Sequence, residues 1–222
     1  LVFHPHTGID LVSGVQDIAT GTEVTLTLGR AFATWDGAAL DTYGGAEAFA
    51  GLTRGPFTVQ TTISAEGRRL DHVAEGSDRL RDLSAAADVR LYLAAAQHTL
   101  AATLRYEGGW RADEVFQLGL GGIDGVRAFV DYEKPVSRLL VLRFEERWNP
   151  RPLGPAADVG FTLFGDIGRG WAGTAPFSVD TDWESAVGVG LRLGLLAGTG
   201  ALAQEFEFKF QSVDPAGNPN FA

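Results

Sequence analysis

The sequence predicts an all-β fold, an antiparallel transmembrane β-barrel. Three observations carry that expectation. Apolar residues recur at every second position in segment after segment, the spacing that puts them on one face of a strand. The connections between those segments alternate between short and long, as they do in barrels with tight turns at one rim and long loops at the other. No stretch approaches the roughly 18 consecutive apolar residues of a membrane helix, and 29 glycines with few helix caps point away from an α-rich domain.

The elements follow in order. At 23–32, Val24, Leu26 and Leu28 alternate with Glu23, Thr25 and Thr27, and a second strand covers 46–53. At 57–66, Phe57, Val59, Thr61, Ile63 and Ala65 oppose Thr58, Gln60, Thr62, Ser64 and Glu66. At 84–95, Val89, Leu91 and Leu93 oppose Asp88, Arg90 and Tyr92; at 98–107, Leu100 and Leu104 oppose Thr99, Thr103 and Arg105. At 136–148, Leu140, Leu142 and Phe144 face away from Val141, Arg143, Glu145 and Arg147. Further strands are expected at 158–167, 184–195 and 200–212. In the first half of the last pair, Val187, Val189, Leu191, Leu193 and Leu195 alternate with Gly188, Gly190, Arg192 and Gly194. In the second, Phe206, Phe208 and Phe210 alternate with Glu205, Glu207, Lys209 and Gln211. Residues 218–222 read as the start of a tenth strand, and residues 1–22 receive no assignment. A soluble sandwich also alternates, but its solvent face is not built from glycine and ion pairs in strand after strand. A membrane barrel inverts the arrangement, with lipid on the apolar face and a polar lumen on the other.

Arg54–Pro56, Ala96–Gln97 and Ala197–Thr199 are tight connections, and Asn149–Ala157 is intermediate. Ala33–Gly45, Gly67–Asp82, Glu107–Pro135 and Gly168–Asp182 are long. Trp148 stands at a strand end on the short side, where an interfacial aromatic belongs.

Composition narrows the function classes. A net charge of −10 argues against a nucleic-acid partner, since phosphate binding needs a basic surface. There is no cysteine, which removes disulfides and thiolate metal sites. There is no methionine, even at position 1, which predicts that Leu1 lies inside a longer protein or behind a processing site.

Inside the longest loop, at about 108–135, stands Leu120-Gly121-Gly122-Ile123-Asp124-Gly125-Val126-Arg127-Ala128-Phe129. Arg143-Phe144-Glu145-Glu146-Arg147 follows, then Phe164-Gly165-Asp166-Ile167-Gly168-Arg169-Gly170-Trp171, then Gly188-Val189-Gly190-Leu191-Arg192. In this order the four segments resemble the BamA/TamA-type bacterial surface antigen superfamily, the outer-membrane assembly and two-partner secretion barrels. The first is similar to its Gly-Gly…Val-Arg-Gly-Phe loop, and the others to its Glu-x-Arg, Phe-x-Asp-x-Gly and Gly-x-Gly-Leu-Arg strands. The resemblance covers Gly121 to the end, and Asp17–Gly29 loosely. It implies that residues 1–222 are one partial barrel domain, the C-terminal portion of a larger barrel, supplying about nine to ten of its strands. It implies an outer-membrane protein that inserts or secretes polypeptides and is not an enzyme. Its partners would be the lipid bilayer, substrate polypeptides and periplasmic POTRA domains of the same protein, with no cofactor.

The resemblance also implies a site. The long loop folds back into the barrel and Arg127 meets Glu145 and Asp166, with Phe164 beside it; Gly121, Gly122, Val126 and Phe129 shape the loop. The strand pattern agrees on its own terms, because Glu145, Phe164 and Asp166 all lie opposite the apolar face of their strands. One guanidinium between two carboxylates makes bidentate, charge-assisted hydrogen bonds. The chain departs from the family at Ala128, where the family has glycine. If that position requires a positive φ, alanine is strained there.

Other constellations carry less. Gly119–Gly125 lacks the G-x-G-x-x-G spacing and a following amphipathic helix, so it does not read as a nucleotide loop. His4 and His6 flank Pro5 without a third ligand, and His72 and His98 stand isolated. The acidic stretch 71–82 lacks the ligand periodicity of a calcium loop and carries arginines. Glu205 and Glu207, with Lys209 beside them, read as lumen ion pairs rather than a carboxylate dyad. No nucleophile elbow is visible. Two further roles stay open for such a barrel, an anchor for an upstream patatin-like lipase domain and a passive pore.

Overall fold

A computed structural model describes residues 1–7, 9–10, 15–31, 41–113, 116–122, 124–130, 133–150, 157–197 and 200–211. The described residues are all-β. The strands are β1 (Val2–Thr7), β2 (Val15–Arg30), β3 (Asp41–Arg54), β4 (Phe57–Leu70), β5 (Leu80–Ala95) and β6 (His98–Trp110). Then come the two-residue pieces β7 (Leu118–Gly119) and β8 (Pro135–Val136), followed by β9 (Arg138–Trp148), β10 (Ala157–Trp171), β11 (Glu184–Ala197) and β12 (Gly200–Gln211). Every long strand pairs antiparallel with its sequence neighbour, in the order β1-β2-β3-β4-β5-β6-β9-β10-β11-β12. The pieces β7 and β8 pair with each other inside the long loop between β6 and β9. Among the described residues no ladder joins β1 to β12, so the sheet stands with two edges. The expected strand start at 218–222 lies outside the described residues.

All nine strands expected from the alternation are present, and several run further than the apolar pattern does. β3 begins at Asp41 rather than 46, β4 continues to Leu70 rather than 66, and β10 continues to Trp171 rather than 167. The physical reason is that a ladder is held by backbone hydrogen bonds, which continue through Gly, Arg and Thr after the apolar face has ended. These three extensions lie on the long-loop side, so the strands project past the apolar band there.

The two faces of the sheet differ as the alternation requires. On one face stand exposed apolar side chains, among them Leu26, Ile63, Leu91, Leu93, Leu100, Phe144, Phe161, Leu163, Val187 and Val189, with Leu163 60% and Phe144 54% accessible. On the other, Thr58, Thr99, Asp158, Thr162, Asp166 and Arg192 are buried. This inner face is covered from both ends.

From the long-loop side, the loop 111–137 packs Leu120, Val126, Phe129 and Val136 against Leu139, Val141 and Ala186 of the wall. Burying each large apolar side chain in this way stabilises by about 1.5–3 kcal/mol.

From the short-turn side comes a segment within residues 1–20 that the alternation leaves unassigned. β2 pairs with β1 over Val15–Thr20 and with β3 only from Gly21 onward. The change of partner falls at Gly21, whose φ is +97°. Residues before it leave the line of the wall and cross the inner face. A Cβ on Gly51 would lie 2.6 Å from the Ala19 carbonyl oxygen, and Gln60 Nε2 donates to that same oxygen at 3.0 Å. Glycine at 21 and 51 is what this fold-in demands, the first for its backbone angle and the second for room. The hairpin's Ile9 and Ile18 pack against Tyr92 and Ala101 on β5 and β6. His4 and His6 thus belong to a strand rather than a loop.

Candidate functional site

The site is built where the inward loop meets β9 and β10. The loop makes a tight circuit: Leu120 N–H donates to the Lys134 carbonyl at 3.1 Å, Val126 N–H to Leu120 O at 2.8 Å, and Gly122 N–H to Phe129 O at 2.9 Å. Three glycines permit it. Gly122 has φ +92°. A Cβ on Gly125 would overlap the Leu120 carbonyl oxygen, and one on Gly121 the Val130 carbonyl oxygen. Ala128 is not among the residues with positive φ, so an alanine is unstrained there.

The floor beneath the loop is prepared by two more glycines, on the inner face of β10. A Cβ on Gly168 would lie 2.8 Å from Val126 Cγ2, and one on Gly170 would collide with Val136 Cγ1. In Phe164-Gly165-Asp166-Ile167-Gly168-Arg169-Gly170 the inner-face residues are therefore an aromatic, an acid and two bare backbone positions. The loop's apolar side chains settle on the glycines, and its arginine reaches the acid and the ring.

Arg127 is fully engaged. Its Nε donates to Asp166 Oδ2 at 2.8 Å and its Nη2 to Asp166 Oδ1 at 2.7 Å, a two-pronged pair. Its backbone N–H donates to Asp166 Oδ2 at 3.0 Å. Nη1 donates to Glu145 Oε1 at 2.5 Å. The guanidinium lies over the Phe164 ring, 3.8 Å from its centroid, a cation–π placement. The Arg127 and Asp166 side chains are 2% and 0% accessible, and Glu145 12%. Arg127, Glu145, Phe164 and Asp166 thus converge, and Gly121, Gly122, Val126 and Phe129 carry the loop that delivers the arginine.

Two residues belong to this cluster that the strand pattern had only placed on the same face. Arg143 lies 3.7 Å from Asp166 and 4.0 Å from Glu145. Arg147 donates through Nε to Glu145 Oε2 at 2.6 Å, on the side away from Arg127. The signal was legible, since Arg143, Glu145 and Arg147 alternate along β9. Nearer the loop's tip, Arg105 pairs with Glu107 at 2.5 Å and donates to the Asp124 carbonyl at 3.3 Å. The buried charges of Arg127 and Asp166 are tolerable because each is paired and hydrogen-bonded. The arrangement holds a loop in place; nothing in it resembles a nucleophile and base within reach of each other.

On the outer face His98 is not isolated. Its Nδ1 lies 2.6 Å from Glu146 Oε1, and its ring stacks on Trp148, which stacks in turn on Phe161. His98 and Trp148 are register partners on β6 and β9. The acidic stretch 71–82 is tied by ion pairs: Asp78 with Arg111 at 2.5 Å, Arg30 with Asp71 at 2.5 Å. Among the described residues no group of three or more His, Cys, Asp or Glu is placed to hold a metal ion. The side chains of Glu205, Glu207 and Lys209 lie outside the described residues.

Fold and site together define a class by geometry: a meandering antiparallel sheet, apolar outside, with a loop arginine locked onto acids of its inner wall. Comparison of the chain with family models, with curated proteins and with solved structures returns no match.

Proposed function

We propose that the chain is part of a closed transmembrane β-barrel of the bacterial outer membrane, similar to the BamA/TamA-type assembly and secretion barrels. Its task is insertion or secretion of polypeptides, by binding and gating rather than chemistry. The observation that carries this reading is the locked arginine. A Val-Arg pair on a long inward loop, docked between an acid of one strand and an acid and aromatic of the next, resembles that family's loop in residues and order, Ala128 apart.

Other features support it. Exposed Leu, Val and Phe side chains run along the outer face of the sheet from β2 to β11, as a lipid-facing band does. Short turns and long loops alternate between the two rims. An open sheet cannot sit in hydrocarbon, because the backbone groups of its edge strands would lack partners. The reading therefore includes closure of the sheet by strands other than the ten described here. The bilayer and substrate polypeptides are its partners, and POTRA domains of the same protein would face the short-turn side.

The test uses the whole protein in liposomes and a urea-unfolded eight-stranded outer-membrane barrel as probe. The rate at which the probe gains heat-modifiable mobility is compared with empty liposomes. Acceleration by the wild type, lost in an inserted Arg127→Glu variant, is the expected result. Wild-type vesicles that fold the probe no faster than empty ones overturn the assembly reading and leave a pore or an anchor.

A further inference from the structure

The tip of the N-terminal hairpin sits on a built site. Arg147 of β9 and Arg192 of β11 both lie on the inner face near the short-turn rim, flanking β10 at Thr162 and Gly160. Arg147 Nη1 donates to the Ile9 carbonyl oxygen and to Asp10 Oδ1, the latter at 3.0 Å. Arg192 Nη2 donates to the Asp10 carbonyl oxygen at 2.5 Å. Beside these two cations, Ile9 fills an apolar pocket made with Ile18, Tyr92 and Ala101 and is only 1% accessible. Two successive carbonyls, one carboxylate and one buried aliphatic side chain are thus all accommodated. These are the features by which a short extended peptide is recognised: main-chain bonds for affinity, a pocket and a charge for specificity.

The occupant's acid is open to exchange. The Asp10 carboxylate is 55% accessible, whereas Arg147 behind it is 13% accessible. Within β1, Pro5 has no N–H to donate to the ladder with β2, and the hairpin leaves the wall at Gly21.

The charges give the occupant a role. Arg127, Arg143 and Arg147 share the two carboxylates of Glu145 and Asp166, three cations to two anions. Asp10, paired with Arg147, is the third anion. Withdrawing the hairpin leaves this row one negative charge short, so whatever replaces it is favoured if it brings a carboxylate.

We propose that Ile9–Asp10 is the internal occupant of a peptide-recognition site on the short-turn side of the lumen. Arg147, Arg192 and the Ile18/Tyr92/Ala101 pocket form that site, and it accepts an apolar-then-acidic segment of an extended polypeptide in place of the hairpin. The proposal rests on the polypeptide-handling reading and names the chemistry of the segment taken up.

The probe is a fluorescein-labelled peptide copying residues 6–16, with two relatives in which its Asp becomes Asn or its Ile becomes Ala. Binding is measured by anisotropy on the whole protein in detergent. Replacing the internal competitor's acid, Asp10→Ala, is expected to tighten peptide binding about tenfold, the effect of one charge-assisted contact. Both altered peptides bind the Asp10→Ala protein more weakly than the parent, and Arg192→Gln weakens the parent peptide on the same background. Because the peptide changes leave the protein untouched, the result stands even where Arg192→Gln does not fold. Equal affinity for all three peptides, or no gain from Asp10→Ala, overturns the proposal and makes the hairpin a fixed part of the wall. Folding of the eight-stranded probe in liposomes is read separately, so loss of this site and loss of the assembly reading are distinguishable.

Discussion

Asp166 receives Arg127 three times, from its backbone amide at 3.0 Å and from Nε and Nη2 at 2.8 and 2.7 Å. The backbone contact matters most for position. A side chain can swing, but an amide donating to the wall fixes the loop itself. Both side chains are almost wholly removed from water, so leaving either unpaired costs about 3–5 kcal/mol, more than most single interactions supply. Arg127→Glu and Asp166→Arg are each expected to lower the temperature at which the folded band converts in a heated gel. The double reversal restores part of the loss. Full restoration is not expected, because Arg143 would then face a second arginine at 166. Single variants that melt like the wild type would show a loop held by its apolar residues alone.

The loop's glycines separate into those that need to be glycine and one position that does not. At Gly125 an alanine Cβ would overlap the Leu120 carbonyl, and at Gly122 the backbone angle is +92°. Ala128 carries no such angle. Gly122→Ala and Gly125→Ala are therefore expected to loosen the loop, each by at least about 1 kcal/mol. Ala128→Gly changes stability by less than about 1 kcal/mol and leaves docking intact. Limited proteolysis within 111–137 reads the difference: cutting accelerates in the first two variants and not in the third.

How much of this was legible depends on whether the signal is periodic. Period two located the nine strands and put all three of the arginine's partners, Glu145, Phe164 and Asp166, on one face; that Arg127 meets them was implied by the resemblance of its loop. The glycine floor at Gly168 and Gly170 was also there to be read, as the continuation of the same alternation. Strand ends were not legible, because ladders outlast side-chain pattern. The N-terminal hairpin was not legible either. His4, Pro5 and His6 break the alternation in β1, and Asp10 meets its partners at sequence separations of 137 and 182. A single bend at Gly21 decides where that segment goes, and one glycine among 29 announces nothing.

At the long-loop rim, Asp78 accepts from the Leu80 amide at 3.1 Å and pairs with Arg111 at 2.5 Å. The Leu80 N–H holds its carboxyl below the ordinary carboxylate value, with Arg111 adding to the effect. A carboxyl depressed in the folded state stabilises the fold at higher pH, and that contribution disappears as pH falls through the depressed value. Acidification is thus expected to release the 71–79 connection, and Asp78→Asn to release it already at neutral pH. Hydrogen exchange at the Leu80 amide checks both; exchange that is independent of pH beyond the intrinsic rate would place the loop's order elsewhere.

The outer face offers the most direct test of lipid contact. Val189 lies mid-strand on β11, 48% accessible, with Leu163 and Phe208 as its register partners. If that face meets hydrocarbon, Val189→Arg places a charge in the bilayer, at about 2–4 kcal/mol near the midplane. Ser64→Arg is the matched control. Ser64 lies on the inner face beside Glu47 and Glu66, in the half of the sheet the arginine loop does not fill, where a cation finds acids and water. After dilution from urea into liposomes, the fraction recovered as the heat-modifiable form is expected to fall steeply for Val189→Arg and to stay near wild type for Ser64→Arg. The opposite order would turn the sheet inside out, with its apolar face packed on protein and its acidic face toward the surroundings. Equal insertion of both variants would remove lipid as the reason for the exposed Leu, Val and Phe side chains.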